Sequence, residues 1–213
     1  MAKLKPITSN SPLMAKIDLF GRHRREIWQQ LAHQLDGYFV RGRMFKPDRV
    51  EAYHGDWMIT LDFFMVDKMT FTRIRAPYVN RDDFTFKIFR EHVGHRIGKA
   101  LGLKDMVVGY PEFDRDFVIQ GSDQRKLEMM FANPHIRQLI SYQPQILLEL
   151  KREAPLFQKP KFPDDVNELY YQTSGLISDL QQLHDLFDLF ADTLDHLCAI
   201  GTAYEDDPGF QYY

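Results

Sequence analysis

A single cysteine, Cys198, stands in the 213 residues. No intrachain disulfide can staple the fold, and a reducing, cytoplasmic compartment is expected. Long hydrophobic runs are missing too: no stretch reaches the roughly 18 apolar residues that a bilayer span needs. The segment from Met1 to Pro12 carries Lys3 and Lys5 but no apolar core, so no secretory signal and no membrane partner are expected. Charge of one sign is not in excess. Lys and Arg number 27 against 30 Asp and Glu, for a formal net charge of -3 and a pI near 6.2. Such a balance creates no long-range field to draw in a phosphate backbone, and nucleic acid is not expected as a partner. Neither the P-loop pattern nor G-x-G-x-x-G occurs, and no serine sits in a G-x-S-x-G context, so no cofactor is expected.

What is present suits an ordinary globular core. Apolar residues make up 44% and charged residues 27%, outside the range of disordered chains. The 17 Phe and 10 Tyr favour a sheet-containing fold, because aromatic side chains fit a pleated, half-buried surface. The length suits one domain: residues 1–15 as a mobile N-terminal segment, 16–201 as a single α+β domain, and 202–213 as a tail.

The periodicity fills in the elements. From Arg22 to Leu35, the residues Ile27, Trp28, Leu31, Ala32 and Leu35 recur at helical spacing, and Asp36-Gly37 ends the helix. One or two strands are expected between Tyr38 and Tyr53. From Trp57 to Val66 the period falls to two. A two-residue turn at Asp67-Lys68 would return Met69 to Ala76 as a partner strand, with Asp62 opposite Arg73, Phe64 opposite Phe71 and Leu61 opposite Ile74. That turn lacks the Gly or Asn that tight hairpins favour.

Phe84 to Phe89 reads as a strand, 91–101 as a helix, and the run holding Phe113, Phe117 and Ile119 as a further strand. Ser122 or Asp123 caps a helix to Phe131, and Asn133-Pro134 opens the next. Ile146–Leu150 and Val166–Gln172 read as strands, separated by a proline-containing loop over 153–165. The clearest element is the helix from Ser178 to Ile200, where Leu180, Leu183, Phe187, Phe190, Leu194, Leu197 and Cys198 share one face. The expected class is α+β: an N-terminal helix, an antiparallel meander, a strand-helix-helix-strand segment and a long amphipathic C-terminal helix.

Four constellations carry possible chemistry. His184, Asp188, Asp192 and His196, with Asp195, lie along the polar side of the last helix, where two neighbours one turn apart can share a metal; a solvated face is the plainer alternative. His92 and His95 lie three apart and could ligate a metal with a distant third residue, although the order is not HExxH. Asp114 and Asp116 would share one face of a strand. With Glu149 and Lys151 they resemble a carboxylate-plus-lysine nuclease set, in which the acids hold a metal and the lysine steadies water. Arg73 and Arg75, two apart on a strand, could fork to an anion, with Asp62 as the competing partner of Arg73. Cys198, on the apolar stripe, reads as a small hydrophobe rather than a nucleophile.

Three stretches, TRIRAPYVNRDDFTFKIFR, GYPEFDRDFVIQGSD and GLISDLQQLHDLFDLFADTLDHLCAIGTAYEDDP, resemble an uncharacterised bacterial family over roughly residues 20–208. The resemblance implies a bacterial, cytoplasmic, single-domain protein and carries no activity, cofactor or catalytic residue across. The functional expectation is a non-enzymatic binding or protein-interaction module with a protein partner or a second copy of itself. The alternative is a metal-dependent hydrolase using the Asp/Glu/Lys cluster.

Overall fold

Trp28 anchors the first helix, α1 (Arg22–Gln34), which buries it together with Leu31 and Ala32. Its indole nitrogen donates to the carbonyl of Ile177 at 3.2 Å, so the buried ring leaves no orphaned polar atom. The computed structural model describes residues 21–43, 46–90, 104–152, 162–210 and 212. The left-handed residue that ends α1 is Asp36, at φ 50°, and not Gly37. Gly37 answers to packing instead: a Cβ there would sit 2.4 Å from the carbonyl oxygen of Glu51.

Four strands follow as an antiparallel meander: β1 (Tyr38–Val40), β2 (Arg49–His54), β3 (Trp57–Val66) and β4 (Met69–Asn80). The β3–β4 register is that of the two-residue turn, with Asp62 opposite Arg73, Phe64 opposite Phe71 and Leu61 opposite Ile74. Asp67 and Lys68 sit at φ 49° and 68°, the type I′ arrangement whose twist matches the strands it joins. The turn is therefore made without glycine, at a steric cost borne by Lys68.

The remaining described elements are β5 (Phe86–Arg90), β6 (Lys104–Met106), α2 (Pro111–Asp116), β7 (Phe117–Gly121), α3 (Gln124–Ala132), α4 (Pro134–Tyr142), β8 (Leu147–Lys151), β9 (Val166–Ser174), α5 (Leu180–Ala199) and β10 (Ala203–Tyr204). Together the described strands build one ten-stranded sheet, in the order β1-β2-β3-β4-β9-β8-β5-β7-β6, with β10 added to β4. All of these strand pairs are antiparallel. The meander and the second half meet where β9 returns to lie beside β4, Thr72 opposite Thr173.

Caps explain where the helices start. Asp123, Asn133 and Asp179 each accept backbone N–H groups of the following turn, at α3, α4 and α5. The α5 face that packs inward buries Leu183, Leu186, Phe187, Leu189, Phe190, Leu194 and Leu197. Each such side chain contributes roughly 2 kcal/mol by leaving water. These residues join Leu61, Ile74, Ile88, Ile119, Leu148, Leu169 and Tyr171 of the sheet in one core, so the helices cover a single face.

One segment differs from its sequence reading. Residues 111–116 form a helix, and the strand begins only at Phe117. Pro111 presets the first helical φ. Phe113 and Phe117 are four apart, and their rings meet at 4.8 Å. That spacing of four is helical, and the alternation seen in the sequence belongs to Phe117 and Ile119 alone. β6 and β10 are additions that periodicity did not mark. The helix expected over 91–101 and most of the 153–165 loop lie outside the described residues. Among the described residues no helix is long and apolar enough to cross a membrane.

Replacing Lys68 by glycine should relieve the left-handed strain and stabilise the protein by about 1 kcal/mol. The measurement is the urea midpoint at unchanged denaturant slope; a lower midpoint for Lys68→Gly would contradict the type I′ turn.

Candidate functional site

Side chains alternate across a strand, so the residues between the core positions all point to the face opposite the described helices. The registers line up Tyr38, Glu51, Thr60, Arg75, Tyr170, Glu149, Lys87, Gln120 and Asp105 in one row across nine strands. Every member of that row is polar. Several are nonetheless buried: Thr60 at 0%, Arg75 at 7%, Tyr170 at 6% and Lys87 at 9% exposure.

Asp62 is the centre of this face. Its carboxylate accepts a bidentate fork from Arg73, Nε to Oδ1 and Nη2 to Oδ2, both at 2.7 Å. A third bond comes from Arg75 Nη2 at 2.7 Å. The Arg75 guanidinium also lies 3.6 Å from the ring of Tyr212, while its Nε is buried without a partner. The Tyr212 hydroxyl in turn donates to Glu168 Oε1 at 2.5 Å. Burial pushes the Glu168 carboxyl above its ordinary value, against the pull of Arg75, the Tyr212 bond, Lys151 and Arg73.

Next along the face, Glu149 sits between Lys151 at 3.1 Å and Lys87 at 3.8 Å. The Lys151 ammonium lies 3.0 Å from the Tyr170 ring centre, and burial lowers its pKa although Glu149 opposes the shift. Chemically this is an interlocked set of ion pairs. Its charges are spent on one another, and it ties β3, β4, β9, β8 and β5 together through side chains.

The residues singled out from sequence are distributed as follows. Arg73 and Arg75 are both bonded to Asp62, so the fork an anion would need is taken by a carboxylate of the same chain. Glu149 and Lys151 are brought together. Asp114 and Asp116 are not placed with them, because both lie on α2. The Asp114 carboxylate accepts from the backbone N–H groups of Val108, Gly109 and Tyr110, and Asp116 pairs with the exposed Arg115. His92 and His95 lie outside the described residues.

On α5, His184 bonds Gln34, Asp192 bonds His135, Asp195 bonds His54, and His196 Nε2 donates to the Met129 carbonyl. That polar side thus pins the helix to α1, α4, β2 and α3 rather than facing only water. Burial raises the pKa of Asp188, which lies among these groups, with His184 opposing and Asp192 adding to the rise. Cys198 is half-buried, and burial likewise pushes its thiol up. Among the described residues no group of three His, Cys, Asp or Glu side chains could hold a metal ion.

A second feature went unread in the sequence. Beside the edge strand β1 opens a cleft of about 620 Å³, lined by Tyr38–Val40, Arg41, Gly42, Arg43, Lys46, Arg49 and Glu51. Its base is fixed by buried Asp48, which accepts from Arg24 at 2.6 Å, Arg25 at 2.8 Å and the Gly42 N–H at 2.9 Å. Arg49 is paired to Glu51 at 2.5 Å. Arg41, Arg43 and Lys46 are exposed and make no ion pair with any described residue. The signal was local, three cations within six residues after the Tyr-Phe-Val strand, and a whole-chain charge near zero concealed it.

No family model matches the chain, and no curated protein is similar to it. Among solved structures, the fold is similar to the crystal structure of the mycobacterial trehalose monomycolate transport factor A, TtfA. The TM-score is 0.52 at 7% identity, over 86% of this chain and 99% of the other. At that identity the likeness is one of fold alone.

Removing the central carboxylate tests the ion-pair lattice. Asp62→Ala would strand two buried guanidiniums and should destabilise the protein by about 3–5 kcal/mol, measured by urea unfolding. The Glu168 shift fixes a sign of pH dependence. An acid whose folded pKa is raised lends its full stability below the unfolded value, near 4.5, and loses it as pH rises through the folded value. Glu168→Gln should therefore gain stability relative to the unsubstituted protein as pH rises above the unfolded value near 4.5, read as the difference in unfolding midpoints. A difference that shrinks over that range would contradict the burial effect.

Proposed function

We propose that this protein is a non-enzymatic binding module that meets an anionic partner through the basic end of its sheet. The observation that carries this reading is the cleft beside β1, where Arg41, Arg43 and Lys46 face solvent with no ion pair among the described residues. Asp48 and Glu51 are taken up by Arg24, Arg25 and Arg49, and exposed cations left over lend their field to whatever approaches, raising association rates more than they stabilise the fold. The central charges of the sheet contrast with them, since Asp62, Arg73 and Arg75 already satisfy one another. The fold likeness to a protein whose name makes it a transport factor is in keeping with a binding role. A hydrolase built on Glu149 and Lys151 would need Asp114 and Asp116 beside them, and those two acids stand on α2 with partners of their own.

The test is recovery of the tagged protein from its host under mild conditions, with co-purifying proteins and lipids identified by mass spectrometry. A specific companion is expected, reduced about tenfold or more by Arg41→Glu/Arg43→Glu, since reversing two rim charges acts on encounter and on hold alike. Unchanged recovery with that variant would overturn the reading. So would a companion-free protein whose hydrolytic turnover disappears in Glu149→Ala.

A further inference from the structure

The β3–β4 pair runs on after its neighbours have stopped. β2 pairs with β3 only as far as Leu61, and β9 pairs with β4 only from Thr72 onward. Residues 63–71 therefore stand out from the sheet as a two-stranded arm. Phe63 roots it, with its ring 6.2 Å from Trp28 and the Arg24 guanidinium 4.4 Å away, and one bridge joins Phe71 to Gly175.

The Asp67-Lys68 turn of this arm is charged and exposed, and exposed apolar residues flank it. Met65 is 64% exposed, Val66 48% and Met69 56%, and Leu176, next to the bridge, is 42% exposed. Behind them the Phe64 and Phe71 rings stack at 5.3 Å. A cluster of exposed apolar side chains at a hairpin end offers a contact surface to other apolar groups.

Cations surround the same end. Val40 lies opposite Arg49 and Val50 opposite Leu61, so the connection from Arg41 to Asp48 leaves the sheet on the side from which the arm projects. Arg41, Arg43 and Lys46 are exposed there, and Lys68 stands in the turn of the arm itself. Arg24 and Arg25 bind Asp48, which brings the start of α1, with exposed Arg22, to this end as well. An apolar tip alone would suit many grooves, and cations alone would suit any anion. Exposed apolar side chains on a projecting arm, with Arg41, Arg43, Lys46 and Lys68 around them against the single carboxylate of Asp67, match the boundary of an anionic bilayer, where acyl chains lie beneath a sheet of phosphates.

We infer that this end of the sheet docks on an anionic lipid bilayer, with the arm laid along the surface so that Met65, Val66 and Met69 reach the boundary between headgroups and acyl chains while Arg41, Arg43, Lys46 and Lys68 meet the lipid phosphates. The contact needs no spanning segment. It rests on the binding-module reading and names the partner.

Co-sedimentation with vesicles tests it, using phosphatidylcholine alone or mixed equally with phosphatidylglycerol. The full chain should pellet with the mixed vesicles and about tenfold less with phosphatidylcholine, and added salt should release it. Met65→Asp/Met69→Asp and Arg41→Glu/Arg43→Glu should each lower binding by about tenfold or more, at an unchanged melting temperature, since all four residues are exposed. A tryptophan placed by Val66→Trp should shift its emission to the blue on the mixed vesicles only.

The inference is overturned if the protein pellets with neither vesicle, if the tip variant pellets as well as the parent, or if the reporter emission stays put. A protein that ignores vesicles yet loses a host protein companion through Arg41→Glu/Arg43→Glu overturns the bilayer contact and leaves the binding-module reading standing. One that does neither loses both.

Discussion

The carboxylate of Asp62 holds two guanidiniums at once, and the sheet face opposite the described helices is organised outward from that arrangement. Three charged groups buried in the middle of a sheet are tolerable only because their donors and acceptors meet one another at bonding distance. From Arg75 the contacts pass to Tyr212 and Glu168, and from the neighbouring Lys151 to Glu149 and Lys87. The chain of partners crosses β3, β4, β9, β8 and β5 in spatial order. Register follows from it. A slip of one residue in β3 would turn Asp62 into the hydrocarbon core and bring Leu61 out among the arginines, so the ion pairs and the core each enforce the same alignment.

This arrangement divides the surface into two kinds of polarity. In the middle of the sheet the charges cancel locally, and the side chains are rigid and buried. At the β1 edge and around the β3–β4 arm, charged and apolar side chains are exposed and unmatched within the described chain. A polar network that satisfies itself has little left with which to recognise anything else. Recognition falls to the margin, where the sheet has run out of neighbours.

How much of this could be read from the residues depended on the range of the interaction. Local signals read well. The apolar stripe of α5, the Asn133-Pro134 cap and the alternation of β3 each depend on residues within a turn or two, and so does the Asp62–Arg73 pairing across a tight hairpin. The PEFD segment misread because a six-residue helix sits directly against a strand, and its Phe113–Phe117 spacing of four was read through as alternation. The arrangement of the charged face was out of reach. Nothing in the local pattern around Glu168 says that β9 lies against β4, so its meeting with Arg75 and Tyr212 depends wholly on strand order. The cleft cations were visible as a cluster, but their freedom from carboxylates is a tertiary fact.

The return of β9 to the centre of the sheet carries a consequence for how the chain comes into being. β4 ends at Asn80 and its central partner begins only at Val166. During vectorial synthesis the meander emerges first and waits with one long edge open, the backbone amides of β4 unpaired on that side. Closing such a distant contact carries a large loop-entropy cost before any pairing repays it, which places this fold among the slower ones for its size. The same open edge is a ready template for a strand from another nascent copy. The cluster beside it, Arg73 and Arg75 with Asp62, lies wholly within the meander and can form before β9 is made. With two guanidiniums to one carboxylate, it leaves a net positive charge along the edge that the chain's own strand must later cover.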